Sequence, residues 1–165
     1  MKTKKIVYAA MLTAIGVLGG SAIYFPIGAS KCTPVQHIIN VIAAVTLGPV
    51  YAVLTAFCIS LIRNFTGTGT LLAFPGSMIG AFFAAILYKR TNQKLFAVAG
   101  EIIGTGIIGS LLSFPIAKFI LGKDVAAFFF VVPFLINTTI GSLIAYFILK
   151  SIEAIKGSAN NLRQD

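Results

Sequence analysis

The chain has 165 residues, of which 58% are hydrophobic and 10% are charged, and its formal net charge is +9. Soluble domains usually carry about 25% charged residues, and so short a chain cannot hide this much apolar side chain from water. Composition therefore excludes an ordinary soluble domain and predicts an all-α membrane protein. The basic residues form short clusters between apolar runs, which indicates membrane orientation rather than nucleic-acid binding.

The first apolar segment covers residues 5–23 and ends where proline and glycine in residues 24–28 disfavour a helix. Its apolar stretch is long for a signal peptide, so we interpret it as a helix of the mature protein. It contains Ala10 and Ala14, four residues apart.

The second segment, residues 34–47, begins at Pro34, which suits the first turn of a helix. A Gly-Pro break at residues 48–49 separates it from the third segment, residues 49–65. A polar Gly-Thr turn follows, and Thr70 is the candidate N-cap of the fourth segment.

Segments four, five and six cover residues 70–88, 95–121 and 126–155, and a spanning helix needs roughly 20 apolar residues. The chain 1–165 is therefore predicted to be one multi-pass domain of six helices in the cell membrane. Glycines in segment five allow its backbone to approach a neighbouring helix closely in lipid. They are Gly100, Gly104, Gly106 and Gly109.

Placing both termini in the cytoplasm puts nine basic residues inside and four outside, which the positive-inside rule favours. The inner residues are Lys2, Lys4, Lys5, Lys89, Arg90, Lys94, Lys150, Lys156 and Arg163. The outer residues are Lys31, Arg63, Lys118 and Lys123.

Motifs for chemistry are missing from the sequence. It contains no GxxxxGK[ST] phosphate loop, no GxSxG, no HExxH and no paired carboxylates. Cys32 and Cys58 are too far apart for a metal motif, and Lys31 before Cys32 argues against a lipoprotein. We therefore expect no enzyme activity, no metal and no cofactor.

Glu101 is the only acidic candidate for a group deep in the membrane, about 9 Å from the inner edge of segment five. One interpretation is a proton or substrate site, as a carrier would need. The other is a carboxylate near the inner interface, paired with a lysine or a polar group.

Polar side chains gather toward the outer ends of several segments, and polar groups in lipid must pair or line a cavity. The candidate substrate-binding residues are Gln36, His37, Asn40, Arg63, Asn64, Thr68 and Asn137. Each has a simpler interpretation: His37 and Asn40 bridge helices, and Arg63 snorkels to lipid head groups. Together they favour an outward-facing pocket for a small molecule.

The pocket chemistry suits a small, flat, mostly neutral heterocycle with a hydroxyl or a ring nitrogen. Candidate rings near the outer end are Tyr24, Phe25, Phe65 and Phe74. Because Arg63 precedes the helix start at Thr70, a phosphorylated ligand is also compatible with this end.

Residues 31–88 carry a more specific pattern. It includes CTPVQHIIN from Cys32, LGPVYA from Leu47, RNFTGTG from Arg63 and LLAFPGSMIG from Leu71. This pattern resembles the ThiW family, the thiazole-specific S components of energy-coupling factor (ECF) transporters. The resemblance covers nearly the whole chain and is strongest over about 50 residues.

The resemblance implies a six-helix S-component bundle with cytoplasmic termini, which binds a thiamine precursor, hydroxyethylthiazole, near the outer face. It also implies three partners: an ECF transmembrane coupling protein and two ATPase subunits. A small-residue AxxxA pattern on helix one docks such subunits on the coupling protein, and Ala10 and Ala14 match it.

Three alternatives stay open at this point. The first is an S component for thiamine or its pyrimidine precursor. The second is a stand-alone secondary carrier that uses Glu101. The third is a structural or assembly membrane protein without a ligand.

Overall fold

A computed structural model describes residues 2–27 and 30–161, so Arg163, counted above among the inner basic residues, lies outside the described residues. The described chain forms six helices and one short antiparallel hairpin. The helices are α1 Lys2–Ala22, α2 Pro34–Leu47, α3 Pro49–Phe65, α4 Ala73–Thr91, α5 Lys94–Ile120 and α6 Val131–Asn161. The hairpin strands are β1 Phe25–Ile27 and β2 Ser30–Cys32.

Helices α2 and α3 have the expected bounds, and Pro34 does occupy the first turn of α2. The expected N-cap at Thr70 is wrong, because α4 begins at Ala73 and Leu72 precedes it without a side-chain cap. Helix α6 begins five residues later than expected, at Val131. The hairpin lies between the first two expected segments, and its three-residue strands have no alternation long enough to detect in the sequence.

The helices run alternately up and down, so one end of the bundle gathers the β1–β2 hairpin, the α3–α4 loop and the α5–α6 connection. We call this the hairpin end. Helices α2 and α4 are central: α2 packs on α1, α3, α4 and α6, while α4 also packs on α3 and α5. Their contact surfaces include many small side chains, among them Ala43, Ala44, Ala81, Ala84 and Ala85.

The closest helix approach joins α4 to α5 through glycines. A Cβ on Gly104 would lie 2.7 Å from the Cα atom of Gly80, and a Cβ on Gly100 would lie 2.7 Å from the Ala84 backbone nitrogen. Real Cβ atoms do not approach backbone this closely, so only glycine permits the packing. The expectation that glycines of segment five allow close helix contact is confirmed.

Helix α5 changes its winding along its length. It is α-helical over Lys94–Glu101 and then π-helical over Ile102–Gly109 and Ile116–Ile120. The second π-helical stretch directly follows Pro115, whose ring nitrogen has no hydrogen to donate. The first begins immediately after Glu101, and π-helical turns are frequent at functional sites.

Helices α1, α5 and α6 are long and apolar enough to cross a membrane, whereas α2 and α3 are shorter apolar helices. The 14 residues of α2 span about 21 Å, less than the roughly 30 Å of a bilayer core. Helix α1 turns large apolar side chains outward, including Leu18, which is 71% exposed. Such an apolar exterior fits a bilayer.

We expect Gly104→Val to destabilise the bundle, because the added methyl groups collide with the backbone of α4, which cannot move aside as a flexible side chain can. Overpacking of this kind typically costs about 1–3 kcal/mol. Thermal unfolding of the detergent-solubilised protein measures the loss. Ile103→Val is the matched control, since Ile103 is 47% exposed and faces outward. Equal unfolding temperatures for both variants would contradict the packing argument.

Candidate functional site

The carboxylate of Glu101 lies inside the bundle with no exposed surface. Its Oε1 atom is 2.9 Å from His37 Nδ1 and accepts a hydrogen bond of 2.9 Å from Asn40 Nδ2. Thr105 Oγ1 lies 3.0 Å from the same oxygen and 3.0 Å from the Gly76 carbonyl, so its single proton serves one acceptor at a time. One oxygen thus organises side chains from α2 and α5 against the backbone of α4.

Of the partners considered for Glu101, a lysine or a polar group, the structure shows polar groups. The carboxylate contacts His37 and Asn40, two members of the polar cluster, and no lysine among the described residues. Glu101 and His37 meet because α2 is short. Residues near the beginning of α2 therefore lie at the same depth in the bundle as Glu101, which ends the first two turns of α5.

The network continues from His37 to a third helix. The Asn137 amide nitrogen of α6 lies 3.0 Å from His37 Nε2. His37 and Asn137 are only 6% and 9% exposed, yet both line a cavity of about 70 Å³. His37 therefore connects the buried carboxylate to the wall of the cavity.

A second polar network surrounds Arg63 near the end of α3. Its Nη1 donates to Thr33 Oγ1 at 3.0 Å and to Gln36 Oε1 at 2.8 Å, and its Nη2 donates to the Thr68 carbonyl at 3.0 Å. Arg63 is 3% exposed, so the interpretation that it snorkels to lipid head groups is wrong. The guanidinium instead ties Thr33, which follows the hairpin, and the first turn of α2 to the α3–α4 loop.

The two networks meet through Gln36. Its Nε2 donates to Ser60 Oγ at 2.8 Å, and Ser60 Oγ lies 2.9 Å from Ser77 Oγ. The Ser77 backbone carbonyl accepts from Asn40 Nδ2 at 3.1 Å. A continuous polar layer therefore crosses the bundle below the hairpin, at the base of the cavities.

Two adjoining cavities open at the hairpin end and share Lys31, Thr33, Thr70 and Ala73. The first, of about 70 Å³, reaches inward; its remaining lining residues are Gln36, His37, Gly76, Ser77, Thr105, Phe134 and Asn137. The second, of about 200 Å³, lies at the α3–α4 loop and is lined by Arg63, Gly67, Thr68 and Gly69 besides the shared residues. Together they offer hydrogen-bonding groups, one aromatic ring and no carboxylate among the described lining residues.

The structure brings most of the expected site residues together. Gln36, His37 and Asn137 line the inner cavity, and Arg63 and Thr68 line the outer one. Two residues lie elsewhere. Asn40 sits beneath the cavity in the Glu101 network. Asn64 does not line either cavity, and its amide donates to the carbonyls of Ser60 at 2.8 Å and Thr70 at 3.0 Å.

Sequence reasoning missed several site residues. Thr33, Ser77 and Thr105 are small hydroxyl residues, which in an apolar helix give no signal that separates a pocket from a helix contact. None of the four rings expected near the outer end lines the cavities, and Phe65 is 84% exposed. Phe134 lines the inner cavity instead. It lies in a phenylalanine-rich stretch, where the sequence does not distinguish it from the neighbouring phenylalanines.

A separate groove lies on the lipid-facing side of α1 and α3. It has a volume of about 680 Å³ and an almost wholly apolar lining. Ala10 and Ala14 line it together with larger side chains such as Leu18 and Leu54, and both alanines are exposed. The two alanines therefore mark a shallow, exposed strip on the surface of α1.

Comparison with known proteins agrees with this architecture. Residues 6–155 match the family model of ThiW, described as thiamine-precursor transporter protein. The chain belongs to the ThiW family. ThiW proteins are membrane transporters, in agreement with the expectation that this multi-pass chain is not an enzyme.

The fold also has a solved counterpart. A structure of the S component of a bacterial ECF transporter superposes with a TM-score of 0.70 at 19% sequence identity, covering 98% of this chain and 99% of that chain. At this identity the similarity establishes the fold. No curated protein sequence is significantly similar to this ThiW-family chain.

We expect Arg63→Met to loosen the hairpin end, because it leaves two buried acceptors and one partly buried acceptor without their donor. Hydrogen bonds to a charged group contribute about 1.5–3 kcal/mol each. Cys32 reports the change: its thiol is buried under the hairpin, 3.6 Å from the Pro133 carbonyl, and burial raises the pKa of the thiol, so little reactive thiolate is present at neutral pH.

In a Cys58→Ala background, maleimide labelling of Cys32 should be several-fold faster in the Arg63→Met variant. Lys123→Met is the control, because it removes a cation from the exposed α5–α6 connection without breaking these bonds. Unchanged labelling in the Arg63 variant would show that the guanidinium does not hold the hairpin.

Proposed function

We propose that this chain is the substrate-binding S component of an ECF importer and that it captures hydroxyethylthiazole, the thiazole precursor of thiamine. The observation that carries the proposal is the inner cavity, where His37, Gln36 and Asn137 face Phe134 at the hairpin end. Membership of a thiamine-precursor transporter family and the fold of an S component support it.

The cavity chemistry favours the neutral thiazole alcohol over thiamine. Lys31 is the one charged group among the described residues that line the inner cavity, and no carboxylate is available there for the positive thiazolium ring of thiamine. A single ring with its hydroxyethyl group needs the inner cavity of about 70 Å³ together with the adjoining cavity of about 200 Å³, and two rings fit this space less well. A neutral ring can pack on Phe134 while a hydroxyl pairs with buried amide and imidazole groups.

Charge supports an exterior position for the hairpin end and six spans with cytoplasmic termini. Because Arg63 is buried in a hydrogen-bonded network, it no longer counts as an orienting charge. Three basic residues then remain at the hairpin end: Lys31, Lys118 and Lys123. Eight of the described basic residues lie at the opposite end: Lys2, Lys4, Lys5, Lys89, Arg90, Lys94, Lys150 and Lys156.

The proposed partners are an ECF transmembrane coupling protein and two ATPase subunits. The ATPases would supply the energy, because the sequence of this chain contains no phosphate loop for binding ATP. The apolar groove beside Ala10 and Ala14 fits docking of a partner helix, since small residues let helix backbones approach in lipid. In this proposal the whole subunit topples in the membrane when the ATPases act.

Purified protein should gain thermal stability with hydroxyethylthiazole and less with thiamine or the pyrimidine precursor. Asn137→Ala should weaken thiazole affinity about tenfold, the equivalent of one hydrogen bond. Asn64→Ala should change it little, because Asn64 does not line either cavity. Titration calorimetry measures both variants.

Stabilisation by another precursor but not by the thiazole would overturn the substrate assignment. If no precursor stabilises the protein, and His37→Ala and Asn40→Ala change only its stability, the chain is a structural membrane protein without this ligand.

Ala14→Trp should abolish ECF-dependent uptake while thiazole binding persists, because the bulky ring fills the groove, which shares no lining residue with either cavity. Ile15→Trp is the matched control: Ile15 is its exposed neighbour on α1 and does not line the groove. Uptake by cells that express the chain with and without the coupling module provides the measurement.

The competing carrier hypothesis draws support from the burial of Glu101 inside the bundle. Uptake that persists without the coupling module, and that Glu101→Gln abolishes, would establish the carrier and refute the S-component proposal.

A further inference from the structure

The hydrogen bonds of His37 have a defined polarity. The Asn137 amide stands with its nitrogen, and not its oxygen, 3.0 Å from His37 Nε2. Because an amide nitrogen can only donate, this orientation of the amide requires His37 Nε2 to accept. The imidazole then carries its single proton on Nδ1, which donates to Glu101 Oε1 at 2.9 Å. A doubly protonated ring would set two donors against each other at Asn137.

Glu101 enforces this polarity from beneath the cavity. It is fully buried, is not among the residues that line the cavity, and its Oε1 also accepts from Asn40. With the His37 proton on Nε2, a bare Nδ1 would face a carboxylate oxygen at 2.9 Å, acceptor against acceptor. That arrangement is costly in a buried site, so the Nδ1–H tautomer is the one that Glu101 stabilises.

We propose that Glu101 is a positioning residue that makes the site selective for a ligand hydroxyl. The hydroxyl inserts between the two cavity-lining groups of the His37–Asn137 pair, donating its proton to His37 Nε2 and accepting from Asn137 Nδ2. This inference rests on the proposed function and identifies the hydroxyl as the ligand group that the site recognises.

A hydroxyl is suited to this place because it donates and accepts at one atom, and so replaces the direct Asn137–His37 bond without leaving either partner unpaired. An ether oxygen or a ring nitrogen can accept from Asn137 but cannot donate to Nε2. Binding such a ligand leaves a buried acceptor unsatisfied, and sites built around a substrate hydroxyl discriminate strongly for this reason.

The direct test compares hydroxyethylthiazole with its O-methyl ether, which keeps the ring and the oxygen but has no proton to donate. Calorimetry on the wild-type protein should give at least about tenfold weaker binding of the ether. Equal affinities would overturn the inference while leaving the proposed function in place. Tighter binding of the phosphate ester than of the alcohol would also overturn it. If neither alcohol nor ether binds, the proposed function fails and the inference fails with it.

The tautomer can be measured directly, because His37 is the only histidine in the sequence. Nitrogen-15 NMR of histidine-labelled protein should show a neutral ring protonated at Nδ1. A ring protonated at Nε2, or at both nitrogens, would overturn the inference without requiring any variant to fold.

Two substitutions of Glu101 distinguish a role in positioning His37 from a purely structural role. Glu101→Gln retains an oxygen that can accept the Nδ1 proton, whereas Glu101→Met does not. The preference for alcohol over ether should survive in the Gln variant and fall toward equality in the Met variant, together with a change of tautomer. Ser142→Ala is the control, since Ser142 is a buried α6 residue that does not line the cavity. If Glu101→Met keeps both preference and tautomer, Glu101 does not position His37.

Discussion

The structure depends on a carboxylate held inside an apolar bundle. A buried polar group is costly unless it is hydrogen-bonded, because neither lipid nor alanine side chains can solvate it. Glu101 Oε1 meets His37 and Asn40 on α2 and Thr105 on its own helix. Helices α2 and α5 are thereby fixed in register, and α6 joins through Asn137.

Close helix packing makes that network reachable. Gly80 on α4 lies beside both Glu101 and Thr105, where a Cβ would lie only 2.6 Å from Glu101 Oε2. Because α4 presents no side chain there, the carboxylate fits between the central helices and reaches α2. The glycines of α4 and α5 therefore make room for the polar layer as well as for helix contact.

Polar and apolar surfaces have separate places in the molecule. The hydrogen-bonding groups face inward beneath the hairpin, where Arg63 joins the beginning of α2 to the α3–α4 loop beside the cavities. The outer face of α1 is apolar and includes the groove with Ala10 and Ala14. A ligand and a membrane partner can thus contact the chain without competing for the same surface.

Sequence patterns alone determined the membrane class, the six helical segments within a few residues and most of the polar cluster. These features follow from composition, Pro-Gly breaks and apolar run lengths, all of which are local. The contact between Glu101 and His37, 64 positions apart, was decided only by tertiary structure. The depth of a residue along its own helix does not reveal which residue of a neighbouring helix lies at the same depth. Here the shortness of α2 and the glycine contacts of α4 brought Glu101 and His37 together. The burial of Arg63 and the role of Phe134 likewise depend on which helices meet, and no local pattern encodes that.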